Sequence, residues 1–148
     1  MSVETTDRPA SDEQAGAKTV TYSPAAAPVY AEGRRDFIKY RDLGVTQATD
    51  GRMHAQLMLG KTGLTRPTGW HYHVCEQQFV YIIKGELDLE FEDGTELHMV
   101  PGDSALIPGG LRHNETALSD DFELIEVTLP SDMRTVKCDP PEGAKSGN

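Results

Sequence analysis

The chain has 148 residues, 37% of them hydrophobic, a formal charge of −10 and a pI of about 4.8. That length suits one domain with one modest core. The acidic balance excludes electrostatic tracking of nucleic-acid phosphates or anionic lipid, and no apolar run approaches the ~18 residues of a membrane helix.

Residues 1–33 are rich in Ala, Pro, Ser, Thr and acid. They read as a flexible N-terminal arm, with a short extended piece at Thr19–Tyr22. The first residues lack the basic-then-apolar order of a signal peptide, so the default expectation is a soluble cytoplasmic protein. Strand signals run from 34 to 138, the expected folded domain. Residues 139–148, DPPEGAKSGN, read as a disordered tail.

Within the domain, FIKY at Phe37–Tyr40 is short and strand-like. Arg52–Leu59 reads with period two, with His54, Gln56 and Met58 on one face. FVYII at Phe79–Ile83 is β-branched and aromatic and reads as a well-buried strand, Tyr81 included. ELDLEFE at Glu86–Glu92 alternates most clearly: Leu87, Leu89 and Phe91 point in, while Glu86, Asp88, Glu90 and Glu92 point to water. Those four acids are spread along ~7 Å steps and do not converge on a cation. Asp93-Gly94 fits a tight hairpin turn. Glu96–Val100 returns, Pro101-Gly102 turns again, and Ser104–Ile107 is ended by Pro108-Gly109-Gly110. A short strand follows at His113, and FELIEVTL at Phe122–Leu129 alternates. Residues 131–138 fit a last strand or a helical turn. Short strands separated by turn residues, with no long helix, predict an all-β, antiparallel barrel or sandwich.

Cys75 and Cys138 make neither a disulfide framework nor a zinc knuckle and read as reduced thiols. The residues that suggest chemistry are histidines. In His71-Tyr72-His73 an extended backbone puts both imidazoles on one face, close enough for two ring nitrogens to reach one metal ion at ~2.0–2.2 Å. Tyr72 and Arg112 alternate away from that face. His113 follows the Pro108–Gly110 turn into a short strand that can run beside the first pair. His54, Gln56 and His98 lie on strands that could face the interior as ligand contacts.

Together these segments resemble the paired motifs of the cupin superfamily. The first motif, G(X)5HXH(X)3-4E(X)6G, is matched by His71, His73, Gln78 and Gly85. The second, G(X)5PXG(X)2H(X)3N, is matched by Gly102, Pro108, Gly110 and His113. Thr65 stands where the first motif has its opening Gly. Ala117 stands where the second has its Asn, with Asn114 nearby. Gln78 stands where the family carries an acidic ligand.

The resemblance implies a double-stranded β-helix, or jelly-roll, holding one divalent transition metal (Fe, Mn, Ni, Cu or Zn) through His71, His73, His113 and a fourth group. Gln78 fits that place by spacing. Glu76 is the rival, and a bare three-histidine site is the third option. Neutral imidazoles and a neutral amide would leave the ion's full charge at the site, favouring an anionic ligand. Glu76 or Glu115 is a candidate base. The implied function is a dioxygenase-like, isomerase or lyase reaction on a small anionic or metal-chelating molecule. A non-catalytic binding or sensor cupin is the alternative. A homodimer is expected by analogy, with the strand at Phe37–Tyr40 crossing to a second subunit.

Overall fold

The computed structural model describes residues 18–64 and 66–144. Residues 1–17 of the arm, the motif position Thr65 and residues 145–148 of the tail lie outside the described residues. Eleven strands are described: β1 (Val29–Ala31), β2 (Ile38–Asp42), β3 (His54–Gly60), β4 (His71–Val74), β5 (Gln77–Lys84), β6 (Leu87–Phe91), β7 (Glu96–Met99), β8 (Ser104–Pro108), β9 (His113–Leu118), β10 (Glu123–Leu129) and β11 (Arg134–Lys137). A four-residue helix, α1 (Val45–Ala48), sits between β2 and β3. Among the described residues no helix is long and apolar enough to cross a membrane.

The strands form two sheets, ordered β1-β2-β3-β10-β5-β8 and β11-β4-β9-β6-β7. Every pairing is antiparallel. The all-β jelly-roll expectation therefore holds. The core lies between the sheets, with Ile38, Met58, Val80, Ile82 and Leu124 from one and Leu87, Leu89, Phe91 and Met99 from the other. Burying each such side chain contributes roughly 1.5–3 kcal/mol.

Three expectations need amendment. β5 alternates rather than being buried throughout: Val80 and Ile82 point in, while Phe79, Tyr81 and Ile83 are 38–41% exposed. Its composition signals a strand, but only one face of an antiparallel sheet meets the core. Tyr81 is thus an outer-face residue, paired with Ile125 and Ser104. In β6, Glu90 does not point to water: it is buried, and Asn114 Nδ2 donates to its Oε1 at 2.9 Å. Trp70 and the stretch Pro141–Ala144 share a crevice with Glu90, so this part of the outer face is covered.

The third concerns β2. The segment expected to cross to a second subunit pairs within its own chain, between β1 and β3. Among the described residues of the arm the strand is β1, and Thr19–Tyr22 forms none. Residues 131–138, left open by sequence, contain β11, which pairs with β4.

Candidate metal centre

Two turns bring the histidines together. The Pro108-Gly109-Gly110 turn docks on the β4–β5 connection: Gly109 N donates to Glu76 O at 3.0 Å, and Gly110 N donates to His73 O at 2.9 Å. A Cβ on Gly109 would collide with the Cys75 carbonyl, so glycine is required for this approach. The docking sets β9 beside β4 with His71 opposite His113. His71 and His73 project from β4 with period two. The ring centroids of the three are 4.5–5.2 Å apart. Their ring nitrogens lie within 4.8 Å of one another, and all three residues are buried.

Each imidazole is oriented through its Nδ1. His71 Nδ1 lies 2.7 Å from the Gly69 carbonyl, and His113 Nδ1 2.9 Å from the Leu111 carbonyl. His73 Nδ1 lies 3.0 Å from Thr135 Oγ1 on β11. A carbonyl only accepts, so the first two rings carry their proton on Nδ1 and leave Nε2 as a lone-pair donor. This is the tautomer a metal-bound histidine uses. Burial, with His113, Arg34 and His71 close by, pushes the His73 imidazole down to about 3. Burial also lowers His113, despite the opposing pull of Glu115. Neutral imidazoles are the metal-binding form. His71 Nε2 is buried and has no hydrogen-bond partner among the described residues. Three fixed nitrogens converging on one point, one of them left unpartnered, fit a divalent transition metal.

The histidines line a cavity of about 60 Å³ between the sheets, with Arg34, Phe37, Gln78, Glu115 and Glu126 also in its wall. Glu115, two residues after His113 on β9, places Oε2 3.3 Å from His71 Nε2 and Oε1 4.0 Å from His113 Nε2. The Thr68 hydroxyl donates to Oε2 at 2.5 Å. Burial alone would raise this carboxyl. The His71 and His113 rings and the Thr68 hydroxyl outweigh it and hold the group below the usual carboxylate range.

The opposite sheet contributes a second polar cluster. Glu126 on β10, 1% exposed, accepts from Gln56 Nε2 at 2.9 Å, from Gln78 Nε2 at 2.7 Å and from both Nη atoms of Arg34 at 3.0 and 3.3 Å. Burial opposes its charge, but Arg34 and the two amides keep the carboxyl below its ordinary value. Gln78 Oε1 is buried and has no hydrogen-bond partner among the described residues.

His71, His73, Gln78, His113 and Glu115 are thus brought to one cavity. Glu76 is not: it is exposed, in the turn between β4 and β5, and is absent from the cavity wall. Of the three further strand candidates, Gln56 reaches the interior. His54 Nδ1 instead meets Thr46 Oγ1 at 2.7 Å, and exposed His98 pairs with Asp88. Arg112 pairs outward with Glu92. Burial raises the thiols of Cys75 and Cys138, which disfavours the reactive thiolate. Asn114 closes the outer side of β9, accepting from Gly69 N at 2.9 Å and so fixing the loop that leads into His71.

Sequence reasoning missed Arg34, Thr68, Thr135 and Glu126. Only Glu126 carried a signal: period two in β10 puts Leu124, Glu126 and Thr128 on the inward face, where a charge demands partners.

A sequence-family profile described as "Cupin domain" matches residues 62–128. Several solved structures share the fold. KdgF from Halomonas sp. is 20% identical, with a TM-score of 0.58 over 76% of this chain and 94% of that one. The polyketide cyclase RemF from Streptomyces resistomycificus is 17% identical, with a TM-score of 0.60 over 84% and 89%. Streptomyces Pac13, described as a nucleoside dehydratase, is 13% identical, with a TM-score of 0.57 over 81% and 92%. No protein of curated function matches the sequence.

Proposed function

The chain belongs to the cupin superfamily, and from that premise we propose that it is a metal-dependent enzyme acting on a small organic molecule in the barrel cavity. The observation that carries this reading is the convergence of three buried imidazoles, two with Nδ1 committed to backbone carbonyls. His71, His73 and His113 would hold one divalent ion, Fe, Mn, Ni, Cu or Zn, with the unpartnered Gln78 Oε1 as a neutral oxygen within the same cavity. Such an ion, when bound, supplies Lewis acidity toward a carboxylate, enolate or other chelating group, or a site for O2 chemistry.

The chain's own residues define what enters. Arg34 and Phe37, from the β1–β2 connection, line the cavity, and its small volume selects a compact ligand. Leu87, Leu89, Ile107 and Leu124 give the remaining wall an apolar character, suited to excluding water around a reacting group. Glu115 is the carboxylate within reach of the centre. Glu76, exposed on the far side of the turn, has no part in this reading. Both a dioxygenase-like oxidoreductase and an isomerase, lyase, cyclase or dehydratase without net oxidation fit such a site. The names of RemF and Pac13 lean toward the second group.

A cytoplasmic homodimer completes the proposal. Outward-facing Phe79, Tyr81 and Ile83 on β5 and Leu106 on β8 offer an apolar face to a second copy. The test is metal content by elemental mass spectrometry on protein purified without an affinity tag. About one equivalent of a transition metal in the wild type, lost in His113→Ala, is expected. No metal, or equal metal in both, would refute the centre and favour the alternative, a cavity that binds small molecules without an ion.

A further inference from the structure

Resting on the metal reading above, we propose that Glu115 is itself a ligand of the ion, and that this cupin has moved its carboxylate from β5 to β9.

The first argument is the position of Glu115 against the rings. His71 and His113 have their Nδ1 atoms against backbone carbonyls, so each Nε2 presents a lone pair. Glu115 presents carboxylate oxygens to those lone pairs, at 3.3 and 4.0 Å. A cation between these oxygens and the ring nitrogens would join them by coordination. The spacing suits it: donors ~2.1 Å from one ion lie ~3.4 Å apart in a tetrahedral site and ~3 Å apart when adjacent in an octahedral one. The Thr68 hydroxyl, donating to Oε2, is the outer hydrogen bond that fixes a ligating carboxylate.

The second argument explains Gln78. Its Nε2 donates at 2.7 Å to Glu126, a buried carboxylate already engaged by Arg34 and Gln56. A glutamate at 78 would set two buried carboxylates against each other. The amide removes that repulsion and ties β5 to β10, but it removes the anion from the motif position. On β9, His113 and Glu115 share a face by period two, so residue 115 can return the charge to the centre. The donor set is then three imidazoles and one carboxylate, with less of the ion's charge left for the ligand.

The test is titration of the metal-free protein with Co(II), reading affinity and the visible absorption of the bound ion. Wild type, His113→Ala, Glu115→Gln and Gln78→Met are compared, with circular dichroism confirming that each is folded. Glu115→Gln is expected to weaken Co(II) by at least about 100-fold, the upper end of losses from outer-shell changes, and to change the absorption bands. Gln78→Met should stay within about threefold of wild type. Unchanged affinity, or weaker binding with unchanged bands, in Glu115→Gln would place the carboxylate outside the coordination sphere and overturn the proposal. A large loss confined to Gln78→Met would overturn it in favour of the amide. Wild type that binds no Co(II), or binds it as well as His113→Ala, would instead refute the metal reading on which the proposal rests.

Discussion

Glu126 and Glu115 face the same cavity from opposite sheets, and both carboxyls are held below their usual range, yet their surroundings differ in kind. Glu126 is surrounded by donors: a guanidinium and two amides. Among the described residues Glu115 accepts from the Thr68 hydroxyl and otherwise meets imidazole nitrogens 3.3 and 4.0 Å away. One carboxylate is held by three donor side chains; the other turns its oxygens toward the proposed centre. That difference separates a group that builds the barrel from a group that serves it, and mutations should expose it.

The largest effect is expected at Glu126. Glu126→Ala leaves Arg34 without its counter-charge and the Gln56 and Gln78 amides without their acceptor. Removing one member of a buried pair costs about 3–5 kcal/mol, and the lower end applies because the Arg34 side chain is 27% exposed. Urea unfolding of the metal-free protein should show a loss near 3 kcal/mol. A loss under about 1 kcal/mol would deny Glu126 its structural role.

Gln78→Glu comes next. It exchanges a 2.7 Å donor–acceptor contact for like charges in a buried site, at a cost of roughly 2 kcal/mol. The double variant Gln78→Glu with Glu126→Gln restores one donor and one acceptor across that contact. It should therefore be more stable than the sum of the single effects, a positive coupling of about 1 kcal/mol or more. Simple additivity would mean that Glu126 does not dictate the residue at 78.

Acid probes the imidazoles. The folded His73 resists protonation until about pH 3, whereas the unfolded residue takes a proton near 6.5. Its contribution to stability is therefore full above pH 6.5 and is lost as pH falls from 6.5 toward 3, by at most about 1.4 kcal/mol per pH unit for one proton. Urea midpoints of the metal-free protein should fall through that window, and less steeply in His73→Asn. The depressed carboxyls of Glu115 and Glu126 add to the fall only at lower pH, once unfolded carboxylates begin to protonate. An identical slope in His73→Asn would remove His73 from the account.

Legibility in the sequence followed the range of the interactions. Strand positions and turns were visible because alternation and glycine punctuation are local: β6 lies within the ELDLEFE run, and β10 falls one residue short of FELIEVTL. The histidine cluster was visible because two short motifs carry it. What stayed hidden depends on contacts distant in sequence. Glu90 reads as a solvated acid until Trp70 and Pro141–Ala144 are seen beside it. Arg34 reads as the edge of an arm until it meets Glu126, 92 residues away. The strand at β11 has little pattern of its own and is settled by pairing with β4, where Thr135 stands opposite His73.

The smallest effect, and the one that separates the two carboxylates most sharply, is that of Glu115→Gln on the metal-free protein. The glutamine carbonyl can still accept from Thr68, while its amide takes the place of Oε1, 4.0 Å from His113 Nε2. Metal-free stability should change by no more than about 1 kcal/mol, because the Thr68 hydrogen bond survives and only the contact with the rings is altered. With saturating Co(II) the variant should fall well behind the wild type, since a 100-fold difference in affinity is worth about 2.7 kcal/mol of folded-state stabilisation. Glu126→Gln should show no such dependence, losing stability with or without the ion because its partners belong to the fold. If Glu115→Gln is destabilised equally in both states, Glu115 belongs with Glu126 as part of the scaffold. A loss confined to the ion-bound protein marks it as a residue that serves the ion.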